Sequence, residues 1–106
     1  MLDVSDKRMR RVDIAARFGR NLVRSRKAAK LSQEELGFRA SLHRTEIGQL
    51  ERGIRLARID TLVKLAGALG VSPMALLDGM DWNPGSTMIG NFEVRAGDGE
   101  AETEAA

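Results

Sequence analysis

With 106 residues, no Cys, no Tyr and a single His, the chain can hold one domain with a modest core, but no disulfide framework, thiolate metal site or histidine metal cluster, and no cofactor is expected. Neither a signal-like apolar run in the basic N-terminus nor a stretch of about eighteen apolar residues occurs, which argues against export and membrane insertion and points to the cytoplasm. The net charge of +2 conceals a split, with 15 Lys and Arg against 7 Asp and Glu in residues 1–58 but 2 against 8 in residues 59–106, so the N-terminal half is a candidate surface for a polyanion.

Residues 1–11, which contain the run KRMRR, form a basic arm or the start of a long helix. From about Val12 the apolar positions Ile14, Phe18, Leu22 and Ala29, with Val23 beside them, follow helical spacing and predict a first helix to about Ala29. Arg17, Arg20, Arg24 and Lys27 fall on its other faces. Ser32 can cap a second helix, Gln33 to about Ala40; Glu35 completes a capping box and Leu31 staples onto Leu36. The same device recurs about eleven residues later, with His43 at the cap, Glu46 at the third helical position and Leu42 stapled onto Ile47. It predicts a third helix from Arg44 to Arg52, stopped at Gly53. Only Ala40, Ser41 and Leu42 separate the two, so they must cross steeply, which is the geometry of a helix-turn-helix.

Residues 54–58 form a loop. Ile59, Leu62, Leu65, Ala66 and Leu69 then mark one face of a fourth helix that ends at Gly70. A fifth helix has Ser72 as cap, Pro73 at its first position and Val71 stapled onto Leu76. The fold class is therefore all-α, a compact five-helix domain over residues 12–79. Its expected core is Phe18, Leu22, Leu36, Leu42, Ile47, Leu50, Leu62, Leu65, Leu69 and Leu76, complete by Leu77. Beyond Met80, Trp82 to Gly85 is expected to turn, and Met88, Gly90, Phe92 and Val94 alternate with period two, which predicts a short strand or small hairpin within 80–95. A lone hairpin is barely stable in water, so this one should lean on the helices or on a second chain. Residues 96–106, small and acidic, are expected to be disordered.

Burying Ile47 and Leu50 turns Thr45, Gly48, Gln49 and Arg52 outward, with Arg44 beside them. Arginine can pair with guanine, glutamine with adenine, and a threonine methyl can meet the thymine methyl, so Arg44, Thr45, Gly48 and Gln49 are candidate base-reading residues. Gly48 either allows close approach to DNA or is a tolerated surface glycine. Gln33 stands at the N-terminus of the second helix, where free N–H groups and the helix dipole favour an anion. His43 is a cap or a phosphate neighbour, and Trp82 and Phe92 are packing groups.

Three blocks in order are Leu31-Ser32-Gln33-Glu34-Glu35-Leu36, then Ile47 with Leu50-Glu51-Arg52-Gly53, then Leu62-Val63-Lys64-Leu65-Ala66 leading into Leu69-Gly70-Val71-Ser72. From near Phe18 to about Leu77 they resemble the lambda-repressor-like helix-turn-helix family of DNA-binding regulators, also called the Xre family. Ser41 stands where that family often has glycine, Ala57 where it often has proline, and Arg58 where a capping serine or threonine is usual. The resemblance implies a phosphate contact at Gln33, backbone grips at Arg52 and Arg55, and a structural ion pair between Arg26 and Glu51 that locks the third helix against the first. Arg58 is a further phosphate candidate. The resemblance also implies a sequence-specific regulator of double-stranded DNA, a repressor, that places its third helix in the major groove of a pseudo-palindromic site as a homodimer. Without Cys or Tyr, with one His and no phosphate loop, no catalytic constellation can be assembled, so an enzyme is not expected. Segment 80–95 is the expected dimer contact or protein-partner site. The alternative is an antitoxin or bridging coactivator that acts mainly through protein–protein contact.

Overall fold

In the computed structural model, which describes residues 11–85 and 90–95, five helices precede a two-stranded hairpin. They are α1 (Arg11–Ala28), α2 (Gln33–Ala40), α3 (Arg44–Glu51), α4 (Ile59–Leu69) and α5 (Pro73–Leu76), and the antiparallel strands are β1 (Met80–Asn83) and β2 (Asn91–Val94). Most of the basic arm, the alternation position Met88 and the acidic tail lie outside the described residues. No described helix is long and apolar enough to cross a membrane.

Local chemistry sets the helix ends. The Ser32 hydroxyl accepts from the Glu35 N–H at 3.0 Å while the Glu35 carboxylate accepts from the Ser32 N–H at 2.7 Å, closing a capping box on α2. Ser72 caps the Met74 N–H at 3.1 Å, and Pro73 opens α5 with a residue that has no N–H to satisfy. Arg58, by contrast, gives α4 no side-chain cap. Ser41 ends α2 in the left-handed region at φ 58°, a conformation that costs a residue with a Cβ about 1–2 kcal/mol, and its N–H bonds the Gly37 and Phe38 carbonyls.

The core is built from Phe18, Leu22, Leu36, Ile47, Leu50, Leu65, Leu69 and Leu76, with Ala40 and Ala66 between them. Leu42 and Leu62, expected inside, are half-buried at its edge. α1 meets α3 at Gly19, where an added Cβ would stand 2.5 Å from the Glu51 carbonyl oxygen and 2.6 Å from that of Leu50. Backbone touches backbone there, and only glycine fits.

The periodicity misplaces several side chains. Ile59, expected on the inward face of α4, is 80% exposed because it opens the helix ahead of the packed turns, and Ala29 is exposed because α1 has already ended. Trp82 and Asn83 belong not to a turn but to β1, paired with Phe92 and Asn91; the Trp82 and Phe92 rings meet edge to face at 5.0 Å.

The largest correction is Arg17, which lies not on a solvent face but at 1% exposure. Its Nε donates to Asn21 Oδ1 at 3.3 Å and to the Asp78 carbonyl at 3.2 Å, and its Nη1 donates to the Arg95 carbonyl. Asn21 Nδ2 donates to the Leu76 and Asp78 carbonyls, each at 3.0 Å. Carbonyls at the end of a helix lack intrahelical partners, and α1 supplies donors to those that follow α5. The same guanidinium holds the end of the hairpin. The packed unit is therefore not complete at Leu77, since Met80 joins the core and β2 lies against α1.

Candidate nucleic-acid interface

The interface grows out of the α2–α3 turn. The left-handed Ser41 and the close approach of Gly37 to the Leu42 carbonyl, 2.5 Å from a hypothetical Cβ, bend the chain sharply between the helices. His43 then caps α3 by accepting the Thr45 N–H on its Nδ1 at 3.0 Å. Glu46, at the position expected to close a second capping box, instead turns its carboxylate to Arg55 Nη2 at 3.7 Å. Ile47 and Leu50 are fully buried against α1 and α2, which leaves Arg44 and Thr45 exposed and Gln49 half-exposed on the outward side.

Gly48 departs from the expected exposed position. It is buried, because the Arg52 guanidinium folds back over it and the Gln33 amide reaches toward it; a Cβ there would meet Arg52 Nη1 at 3.0 Å and Gln33 Nε2 at 3.9 Å. An exposed glycine costs about 1 kcal/mol of helix propensity. Here that cost makes room for two polar side chains over the axis of α3.

Beneath this surface Glu51 gathers three donors. Arg26 forms a fork on it, Nε to Oε2 at 2.5 Å and Nη2 to Oε1 at 3.1 Å, while Gln33 Nε2 donates to Oε1 at 2.8 Å. Arg26 Nη1 also donates to the Leu31 carbonyl at 2.8 Å. An acid at a helix C-terminus opposes the helix dipole, so Glu51 depends on this cationic partner. One cluster thus ties α1, the start of α2 and the end of α3 together, and it places the N-terminus of α2 beside α3. The Gln33 side chain, expected to meet phosphate, is occupied by Glu51 in the free chain.

Arg52 and Arg55 are exposed beyond α3, and Arg58 is exposed with its Nε 3.4 Å from Asp60 Oδ1. Arg44, Arg52, Arg55 and Arg58 therefore share the segment that carries α3 and its following loop. The sequence reading missed the partners these groups have: Glu46 and Gln49 on Arg55, and Gln33 on Glu51. The one available signal was charge spacing, since Glu46 and Arg55 stand on opposite sides of a turn that Gly53 reverses. Among the described residues no group of His, Asp and Glu is placed to hold a metal ion.

Comparison with known proteins agrees with this geometry. The helix-turn-helix family model matches residues 22–76. The chain is 43% identical over 67 residues to the control protein C.BamHI of Bacillus amyloliquefaciens, spanning 63% of this chain and 74% of that protein. Its fold is similar to that of the restriction-modification controller protein C.AhdI from Aeromonas hydrophila, with a TM-score of 0.57 and 40% identity over 58% of this chain and 94% of the other. It is also similar to the P22 c2 repressor, crystallised with synthetic operator 9T, with a TM-score of 0.55 and 32% identity over 58% and 94% of the two chains. Capping, the tight α2–α3 turn and the matched span together place the chain in the lambda-repressor-like, or Xre, branch of the helix-turn-helix family, whose members are DNA-binding transcription regulators rather than enzymes.

Proposed function

We propose that the chain is a sequence-specific repressor that reads double-stranded DNA with α3 in the major groove, Arg44, Thr45 and Gln49 meeting base edges. The observation that carries this reading is the division of α3. Ile47 and Leu50 are wholly buried while Arg44, Thr45 and Gln49 face outward, so the helix can enter a groove without disturbing the core. Gly48 lies beneath the Arg52 guanidinium and brings that cation onto the same surface. The N-terminus of α2 at Gln33, together with His43, Arg52, Arg55 and Arg58, supplies the phosphate contacts that fix register. The Arg26–Glu51 pair holds the reading helix on α1.

The protein acts as a homodimer on paired half-sites about one helical turn apart. The hairpin's inner side is used on α1, leaving Trp82 at 55% exposure, whereas α4 exposes Ile59 and Val63 one turn apart at 80% and 58%. This unpartnered row favours α4 over the hairpin as the dimer contact. Sedimentation analysis decides it: Val63→Glu should give monomers and Trp82→Ala should not, and the reverse pattern would return the contact to the hairpin.

Selection of bound fragments from random double-stranded DNA tests the whole reading. Enrichment of an inverted repeat with half-site centres about 10 base pairs apart is expected. Binding that enriches no sequence would favour the antitoxin or coactivator alternative, in which the protein works through contacts such as the exposed Trp82.

A further inference from the structure

The turn that ends α3 returns the chain alongside the helix it has just left. Gly53, at φ 74°, donates its N–H to the Leu50 carbonyl at 3.1 Å, and the Ile54 N–H reaches the Gln49 carbonyl at 3.1 Å. These paired bonds form a Schellman motif and fix the direction in which residue 55 leaves the helix. Arg55 is thereby set beside Gln49. Its Nη1 donates to Gln49 Oε1 at 3.0 Å, and its Nη2 lies 3.7 Å from the Glu46 carboxylate.

A guanidinium carries only donors, so the side-chain amide of Gln49 must turn its oxygen toward Arg55. Its N–H groups are then directed away from the cation. Resting on the reading that α3 lies in the major groove, we propose that Arg55 is a positioning residue for specificity: it pins the Gln49 amide, and Glu46 holds Arg55 in place. A free glutamine amide can turn over and offer either donor or acceptor. A pinned one presents donors, which match guanine N7 and O6, adenine N7 or thymine O4 and mismatch cytosine, whose major-groove group is the N4 donor. Arg55 thus shapes the base preference at the pair met by Gln49 without itself touching a base.

The test is selection of bound fragments from random double-stranded DNA with the full chain and its Gln49→Ala, Arg55→Ala, Glu46→Gln and Arg55→Ala/Gln49→Ala forms, with circular dichroism melts confirming that each is folded. Gln49→Ala should flatten one position of each half-site. Arg55→Ala should flatten that same position, lowering discrimination against cytosine at least about fivefold, and Glu46→Gln should weaken it in the same direction. The double variant should be no flatter there than Gln49→Ala alone, because both changes remove one device. If Arg55→Ala lowers affinity for all sequences equally and leaves that position's preference intact, Arg55 is a backbone contact only and the positioning role is overturned. If the wild type selects a sequence but Gln49→Ala changes no position, the placement of Gln49 against a base is wrong, and the positioning role falls with it.

Discussion

Replacing Glu51 by alanine should destabilise the domain more than any exposed ion pair could. The carboxylate is 6% exposed and accepts three hydrogen bonds, two from Arg26 and one from Gln33; Arg26 itself is 13% exposed. Glu51→Ala leaves that guanidinium with the Leu31 carbonyl and leaves the Gln33 amide without its acceptor. Breaking a buried pair by removing one partner costs roughly 3–5 kcal/mol, whereas an exposed pair is worth about 1 kcal/mol or less. The Leu31 carbonyl and the slight exposure of Arg26 place the cost at the lower end, about 3 kcal/mol. Relief of the unfavourable acid at the α3 C-terminus returns only about 0.3–1 kcal/mol and does not cancel it. In a domain of this size each 1 kcal/mol moves the melting temperature by about 4–8 °C, so a fall of about 10 °C or more is expected. Thermal and urea denaturation followed by helical circular dichroism would measure it. An Arg26→Met/Glu51→Leu double variant should recover much of the loss, since an apolar pair of similar volume carries no stranded charge. A Glu51→Ala loss below about 1 kcal/mol would refute the argument.

Arg17→Met should loosen the hairpin before it loosens the helices, because it removes the guanidinium donor from the Arg95 carbonyl and one of the two donors, the other being Asn21, from the Asp78 carbonyl, each bond worth about 1 kcal/mol. The sole tryptophan lies on β1, so Trp82 fluorescence should change at lower urea than helical dichroism does; coincident transitions would count against a separate latch. Glu35 is held below its ordinary value of 4.5, first by the Ser32 N–H, then by the Ser32 hydroxyl, with Arg39 adding to both. A folded pKa below the unfolded one gives stabilisation that is fully present above the unfolded value and lost as pH falls through the folded one. The melting-temperature gap between wild type and Glu35→Gln should therefore be constant near neutrality and shrink on acidification, and a gap that widens would reverse the assignment. Gly48→Ala adds a Cβ 3.0 Å from the movable end of Arg52 and gains about 1 kcal/mol of helix propensity, so it should melt no lower than wild type while binding DNA more weakly. Unchanged affinity would mean that the resting place of Arg52 over Gly48 has no part in binding.

Every helix was legible because its signals are local. Ser32 with Glu35, His43 before α3, Pro73 after Ser72, and Gly53 and Gly70 act within a turn of their own position, and apolar spacing adds which face is buried. The same signals mark Arg44, Thr45 and Gln49 as outward, since they follow once Ile47 and Leu50 go in. The Arg26–Glu51 pairing was another matter: nothing in the spacing joins residues 25 positions apart, and only the family resemblance pointed to it.

The order and ends of the helices, the sharp α2–α3 turn and the side of α3 that faces out all follow from interactions spanning a few residues. Groups whose partners are distant in the chain have their surroundings set by the packed fold instead. Arg17 looks like a surface charge until the Asp78 and Arg95 carbonyls, 61 and 78 positions away, arrive to satisfy it. Gly48 looks exposed until Arg52 and Gln33 close over it, and Arg55 looks like a free cation until the turn at Gly53 sets it against Gln49. A side chain's burial and hydrogen-bond partners depend on which backbone is folded against it, and that information belongs to no single stretch of the chain.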